Sequence, residues 1–157
     1  MATEIERKFL VINDDWRSVA TEGILFLQGY FSTNDSCSIR VRIAGDKADL
    51  NIKSATLGIK RSEYEYPVPK KDAEEMLKNL CTQPVIRKTR YYANHDKHTW
   101  EIDVFAGENE GLVIAEIELE SEFEQFTKPD WVGQDVSDDP RYYNVVLVSY
   151  PYKNWAH

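Results

Sequence analysis

The sequence predicts a mainly β fold with some α-helix. The expected architecture is an eight-stranded antiparallel closed β-barrel with a few flanking helices and a C-terminal helix, in one domain over residues 1–157. Three observations predict it. Eight runs of residues alternate with the period of two that sends neighbouring side chains to opposite faces. The gaps between them are too short for parallel crossovers, which favours an antiparallel meander. On seven of these runs one face is charged with unusual regularity, and the simplest geometry that gathers such faces is a closed barrel with the charges inward.

The first strand, residues 4–11, sets Glu4, Glu6 and Lys8 against Ile5, Arg7, Phe9 and Val11. Asn13-Asp14-Asp15-Trp16 reads as a turn that opens a short helix to Thr21. Runs 24–31 and 36–43 follow, parted by a turn at Thr33-Asn34-Asp35, and the second puts Arg40 and Arg42 on one face. Ala44-Gly45-Asp46-Lys47 turns the chain into run 48–54, with Asn51 and Lys53 opposite Leu50 and Ile52. After a break at Thr56-Leu57-Gly58, run 59–68 opposes Arg61, Glu63 and Glu65 to Ser62, Tyr64 and Tyr66.

One helix is clear. Ala73, Met76, Leu77 and Leu80 recur at helical spacing over 70–79, behind Pro67 and Pro69, with Lys and Glu on the far side. Pro84 forbids its continuation. Runs 85–93, 98–105 and 112–121 complete the strands, with turns at 94–96 and 107–111. They offer Lys88 and Arg90, then Glu101 and Asp103, then Glu116, Glu118 and Glu120; which face of its strand Arg87 takes is open. From Glu122 the pattern is mixed until Tyr142, Val145, Val146 and Ser149, whose spacing predicts a helix ending near Pro151.

The length suffices for one well-buried core. A net charge of −8 argues against a nucleic-acid or membrane-surface binder, which would want a basic patch. With no apolar leader and no run of ~18 apolar residues, the expected location is the cytoplasm. Cys37 and Cys81 lack metal-like spacing and are read as thiols in a reducing compartment. His95, His98 and His157 are read as surface residues, and Tyr64, Tyr66, Tyr91 and Trp100 as packing between barrel and helices.

A solvated sheet face needs neither arginine pairs nor Glu-x-Glu repeats. Two carboxylates ~4 Å apart at an effective dielectric of ~20 would repel by about 4 kcal/mol, a ceiling for real separations. Such clustering is explained when something of opposite charge binds. The lumen would hold Lys8, Arg40, Arg42, Lys53, Arg61, Lys88 and Arg90 beside Glu4, Glu6, Glu63, Glu65, Glu101, Asp103, Glu116, Glu118 and Glu120. Carboxylate oxygens suit Mg²⁺ or Mn²⁺, and guanidinium and ammonium groups suit phosphate oxygens. Both together suggest one ligand, a metal-bound chain of phosphates.

The same residues carry a family resemblance. Glu4-Ile5-Glu6-Arg7-Lys8 resembles the Glu-x-Glu-x-Lys signature of the CYTH superfamily, the triphosphate tunnel metalloenzymes. Gln28-Gly29-Tyr30, Arg40-x-Arg42, Lys53, Arg61-x-Glu63-x-Glu65, Lys88-Thr89-Arg90-Tyr91, Glu101-x-Asp103 and Glu116-x-Glu118 follow in order. Trp131-x-Gly133 and Arg141-Tyr142-Tyr143-Asn144 are similar to the short bacterial members. The resemblance implies an eight-stranded tunnel whose C-terminal helix plugs one mouth, and divalent-metal-dependent hydrolysis of a terminal phosphate. The implied substrate is inorganic triphosphate or a related triphosphorylated small molecule, handled by a monomer or homodimer. It assigns the metal to Glu4, Glu6, Glu116 and Glu118, and the phosphates to the seven lysines and arginines; in the hydrolysis it implies, Lys8 or Lys88 would stabilise or protonate the departing pyrophosphate. Glu63, Glu65, Glu101 and Asp103 would orient those cations or place the attacking water and a second metal, and Glu120 extends the acidic row. Two other readings stand beside it: a class IV adenylyl cyclase-like conversion of ATP to cyclic AMP, and a non-catalytic polyphosphate binder.

Overall fold

The structure, a computed structural model, describes residues 2–31, 35–55 and 58–157. The expected turn residues Thr33 and Asn34, and the break residues Thr56 and Leu57, lie outside the described residues. Nine strands and two α-helices are formed among those described: β1 (Ala2–Val11), β2 (Ile24–Tyr30), β3 (Cys37–Ala44), β4 (Lys47–Ser54), β5 (Lys60–Pro67), α1 (Lys70–Asn79), β6 (Ile86–His95), β7 (His98–Phe105), β8 (Val113–Glu118), β9 (Val132–Asp135) and α2 (Asn144–Ser149).

Eight strands close the expected antiparallel barrel in the order β5-β4-β3-β2-β6-β7-β8-β1, and β1 meets β5 again through Ala2–Ile5. The ninth strand was not foreseen. Its four residues pair with β1 at Phe9 and Val11, on the edge that β5 leaves free. One edge of β1 is thus filled by β8, and the other is shared between β5 and β9. In the gap between those two, Glu6 N–H donates to Ile59 O, while Lys8 N–H donates to Ser137 Oγ at 2.9 Å and Lys8 O accepts from Val136.

The barrel wears its main apolar layer outside. Ile5, Phe9, Trp100, Ile102, Ala115 and Ile117 face outward from β1, β7 and β8. They are covered by Trp16, from a 3₁₀ turn at Asp15–Ser18 where a short helix was expected, and by Leu119, Trp131 and Val132. On the opposite wall α1 lays Ala73 and Leu77 against Val41, Ile43 and Ala48. Gly29 lets this packing come close, since a Cβ there would lie 2.8 Å from the Cys81 side chain. Both cysteines are thiols, not disulfide partners. No described helix is long and apolar enough to cross a membrane.

Some expected packing differs. Leu80 follows the end of α1 as its C-cap and is exposed, because the helix stops before that position can face the sheet. Tyr64 and Tyr66 are also exposed, since α1 covers β3 and β4 and leaves the outer face of β5 open. Tyr91 and Trp100 do pack, against Trp16 and against Phe9 and Trp131. His98 is half-buried, paired with Glu124 and edge-on to Phe126, instead of lying free on the surface.

Candidate active site

Inward-facing positions of all eight barrel strands enclose a cavity of about 410 Å³. Strand parity explains why. On β1 it gathers Glu4, Glu6 and Lys8; on β3 Arg40 and Arg42; on β4 Lys53; on β5 Arg61, Glu63 and Glu65; on β6 Lys88 and Arg90; on β7 Glu101; and on β8 Glu116 and Glu118. Asp103 is fully buried beneath this lining, bound to Lys88 and Arg90. Arg87 is exposed, so the Lys88 and Arg90 face of β6 is the inner one.

Glu120 does not join them. β8 ends at Glu118, and beyond it the Glu120 N–H turns to the Glu124 carboxylate at 2.6 Å. Once the chain leaves the sheet, alternation no longer dictates which way a side chain points. Glu120 is exposed and lines a second, outer cleft that meets the tunnel mouth at Tyr92, Glu101 and Glu118.

The opposite end of the cavity is closed by Tyr143, Asn144 and Val145. Below them Leu147, Val148 and Trp155 pack with Ile86, Phe105, Leu112 and Ile114 inside the barrel. Sequence reasoning put a helix here and gave its residues no part in the site. Asn144 Oδ1 accepts from Lys88 Nζ at 3.0 Å and from Gln28 Nε2 at 2.7 Å. The Tyr143 ring lies 5.3 Å from the Arg61 guanidinium. Phe26 was missed as well: its ring faces Arg90, Arg42 and Lys88 at 4.7, 5.1 and 5.9 Å. Its one available signal was parity with Gln28 and Tyr30 on β2.

Charges in the lumen are paired unevenly. Lys8 Nζ sits 2.6 Å from Glu116 and 3.5 Å from Glu6. Burial works against its charge, but Glu116 and Glu6 together hold its pKa above the ordinary lysine value. Lys88 has Asp103 at 2.7 Å, yet burial outweighs that partner, nearby Arg90 adds to it, and the pKa falls to about 8. Arg90 grips Asp103 with two donors, at 2.7 and 2.9 Å, and also contacts Glu101. Even so, burial pushes the Glu101 carboxyl up to about 8, against Arg90 and helped by Glu116. Lys53 reaches Glu4 at 2.9 Å. Asn51 Nδ2 donates to Glu63 at 3.1 Å and Glu65 at 3.0 Å.

Two features ask for ligands of opposite sign. The Nε atoms of Arg40 and Arg42 are buried donors without a partner, and burial plus neighbouring Arg40 lowers the Arg42 pKa. Buried donors of this kind normally find acceptors, and an anion among these cations would supply them. Carboxylate oxygens of Glu4, Glu6 and Glu118 lie within 4.8 Å of one another. Burial and the crowding of like charges raise the pKa values of Glu6 and Glu118, Glu116 weighing next on the former and Glu6 on the latter. A set of crowded oxygen donors fits a hard divalent cation. Glu116, expected in the same set, is instead drawn to Lys8 and, at 3.6 Å, to Arg90.

Comparison with known proteins agrees with this geometry. The model of the CYTH domain matches residues 2–143. An inorganic triphosphatase of Acetivibrio thermocellus is 51% identical over 155 residues, spanning 99% of each chain. One from Nitrosomonas europaea is 36% identical over 149 residues, 92% of this chain and 96% of the relative. The crystal structure of the inorganic triphosphatase NE1496 superposes with a TM-score of 0.65 at 34% identity, over 94% of this chain and 95% of the other. A Hippeastrum chain, solved as a candidate adenylyl cyclase with a dominant triphosphatase activity, has a TM-score of 0.57 at 14% identity over 77% of this chain and 80% of the other, a likeness of fold alone. With its closed, charge-lined barrel and a match over almost its whole length, the chain belongs to the CYTH family.

Proposed function

We propose that the chain hydrolyses the terminal phosphate of inorganic triphosphate, with Mg²⁺ or Mn²⁺ as cofactor. The observation that carries the reading is one cavity, closed at one end, holding unpartnered arginine donors beside a three-carboxylate cluster. The similarity to two inorganic triphosphatases over nearly full length supports the choice of substrate.

Arg40, Arg42, Lys53, Arg61 and Arg90 fix the phosphate oxygens, and Lys8 stays a permanent cation pinned by Glu116. Glu4, Glu6 and Glu118 hold the metal, with Glu116 in support; when bound, it neutralises charge on the phosphate oxygens. Glu63 and Glu65, held by Asn51, orient a water and take its proton as its oxygen attacks the terminal phosphorus. The bond from that phosphorus to its bridging oxygen breaks, and pyrophosphate leaves with the bonding pair. Lys88, with its pKa at about 8, is the lysine able to give the leaving oxygen a proton near neutrality. Glu101 and Asp103 orient Arg90. A cytoplasmic monomer or homodimer with both cysteines reduced is the matching setting.

Phosphate release from triphosphate, ATP and thiamine triphosphate, measured with Mg²⁺ and with Mn²⁺, tests the reading. Metal-dependent turnover of inorganic triphosphate is expected, with losses of at least about 100-fold in Glu6→Ala and Arg42→Ala. No phosphate release from any of them, or cyclic AMP from ATP as the main product, would sink it.

A further inference from the structure

We propose that Asn144, fixed from behind by Gln28, is the positioning residue for Lys88, which makes the C-terminal plug part of the catalytic apparatus. The inference rests on the reading of Lys88 as the proton donor. Its ground is a three-member chain of hydrogen bonds that no strand pattern requires. Lys88 has donors only, so whatever faces its ammonium must accept. Asp103 accepts one hydrogen bond from it and Asn144 Oδ1 another.

That contact fixes the direction of two amides. With Oδ1 of Asn144 turned to Lys88, Gln28 can meet the same oxygen only with its Nε2, as it does at 2.7 Å. The consequence is visible on the other side of Gln28. This side chain is fully buried, and its Oε1 has no hydrogen-bond partner. A buried acceptor left unpaired is a cost that packing alone would avoid, for instance with a methionine of similar length. The fold keeps it, and Asn144 keeps its oxygen on the ammonium.

The other charged groups around Lys88 are Asp103 on β7, Glu116 on β8 and Arg90 on its own strand; the remaining walls are the Phe26 and Phe105 rings. From α2 it is the neutral Asn144 that meets the ammonium, so this contact can be altered while Asp103, Glu116 and Arg90 stay unchanged. Without the Asn144 acceptor, the ammonium keeps Asp103 as its one hydrogen-bonded partner of these two and loses its second point of fixation.

Titration of the Lys88 ε-methylene resonance in ¹³C-lysine-labelled protein, identified by its loss in Lys88→Met, tests this independently of turnover. Two near-isosteric variants should move the midpoint in opposite directions: up in Asn144→Asp, where a carboxylate faces the ammonium, and down in Asn144→Leu, where no acceptor does. In phosphate release, Asn144→Leu and Gln28→Met should lower kcat by about tenfold or more while KM changes less than about twofold. Midpoints that stay put, or move the same way in both variants, overturn the proposal, as does an unchanged kcat. Thermal melts establish which variants fold; should Asn144→Leu not fold, the Asn144→Asp midpoint decides alone, upward for the proposal and unmoved against it. A wild-type protein without triphosphatase activity would remove the catalytic reading, yet leave the opposed midpoints as evidence of the contact.

Discussion

Two halves of the barrel interior, the charged tunnel and the apolar floor beneath it, are built by the same alternation on the same strands. On four strands the boundary is a single step of two residues: Lys8 to Leu10, Lys88 to Ile86, Asp103 to Phe105 and Glu116 to Ile114. The charges that touch the floor are already matched, Lys8 with Glu116 and Lys88 with Asp103. Away from these pairs the matching loosens into crowded carboxylates and arginine donors without partners. The floor contributes stability by burying apolar surface. The tunnel contributes little, because desolvation offsets most of what buried ion pairs gain. Apolar packing and concentrated charge therefore occupy adjacent layers of one barrel.

That division can be broken most directly by trading damage between the layers. Trp155→Ala or Leu147→Ala should cost about 3–5 kcal/mol of stability by opening a cavity in the floor. Arg42→Ala should change stability by less than about 1 kcal/mol while abolishing turnover, since it relieves repulsion from Arg40. Denaturant unfolding of the three variants checks this. An Arg42→Ala protein as unstable as Trp155→Ala would mean the tunnel also holds the fold together.

A divalent cation should sharpen the contrast next. Bound at Glu4, Glu6 and Glu118, Mg²⁺ or Mn²⁺ at 100 times its dissociation constant adds about 2.7 kcal/mol to stability. Melting temperatures with and without the ion should show that gain in wild type and Leu147→Ala, and lose it in Glu6→Gln. A gain that survives Glu6→Gln would assign the ion elsewhere.

A third contrast lies at the boundary itself. Native Lys88 loses its proton near pH 8, whereas in the unfolded chain it holds it to about 10.5. Between those values the unfolded state binds more protons, so raising the pH favours the native state by at most about 1.4 kcal/mol per pH unit. Wild type should gain stability relative to Lys88→Met from pH 8 to pH 10, and hold a constant difference below pH 7. A flat difference throughout would place Lys88 in a more watery setting.

The charged layer was legible because a period of two commits every residue of a strand at once. Once Glu4, Glu6 and Lys8 are placed inward, registers such as Lys8 with Glu116 follow from pairing. Legibility ends where strands end. Glu120 was lost because β8 stops two residues earlier, and β9 because four residues are too few to display alternation. Tyr143 and Asn144 were hidden for another reason. They face the lumen through the docking of a short C-terminal segment, which local spacing does not encode. The apolar floor was visible in principle, for Leu10, Ile86, Phe105 and Ile114 share parity with the charges, but attention to charge passes over them.

The shared edge of β1 sets an order of assembly. Hairpins such as β3–β4 and β6–β7 join neighbours in sequence and can form early. β1 comes first in the chain, yet Lys8 meets Glu116 across 108 residues, and its backbone meets Ser137 across 129. During synthesis the first strand must wait for nearly the last, with Ile5 and Phe9 still uncovered. Closure is then a late, single event that completes wall and charged lumen together. A half-folded chain has no half-working tunnel.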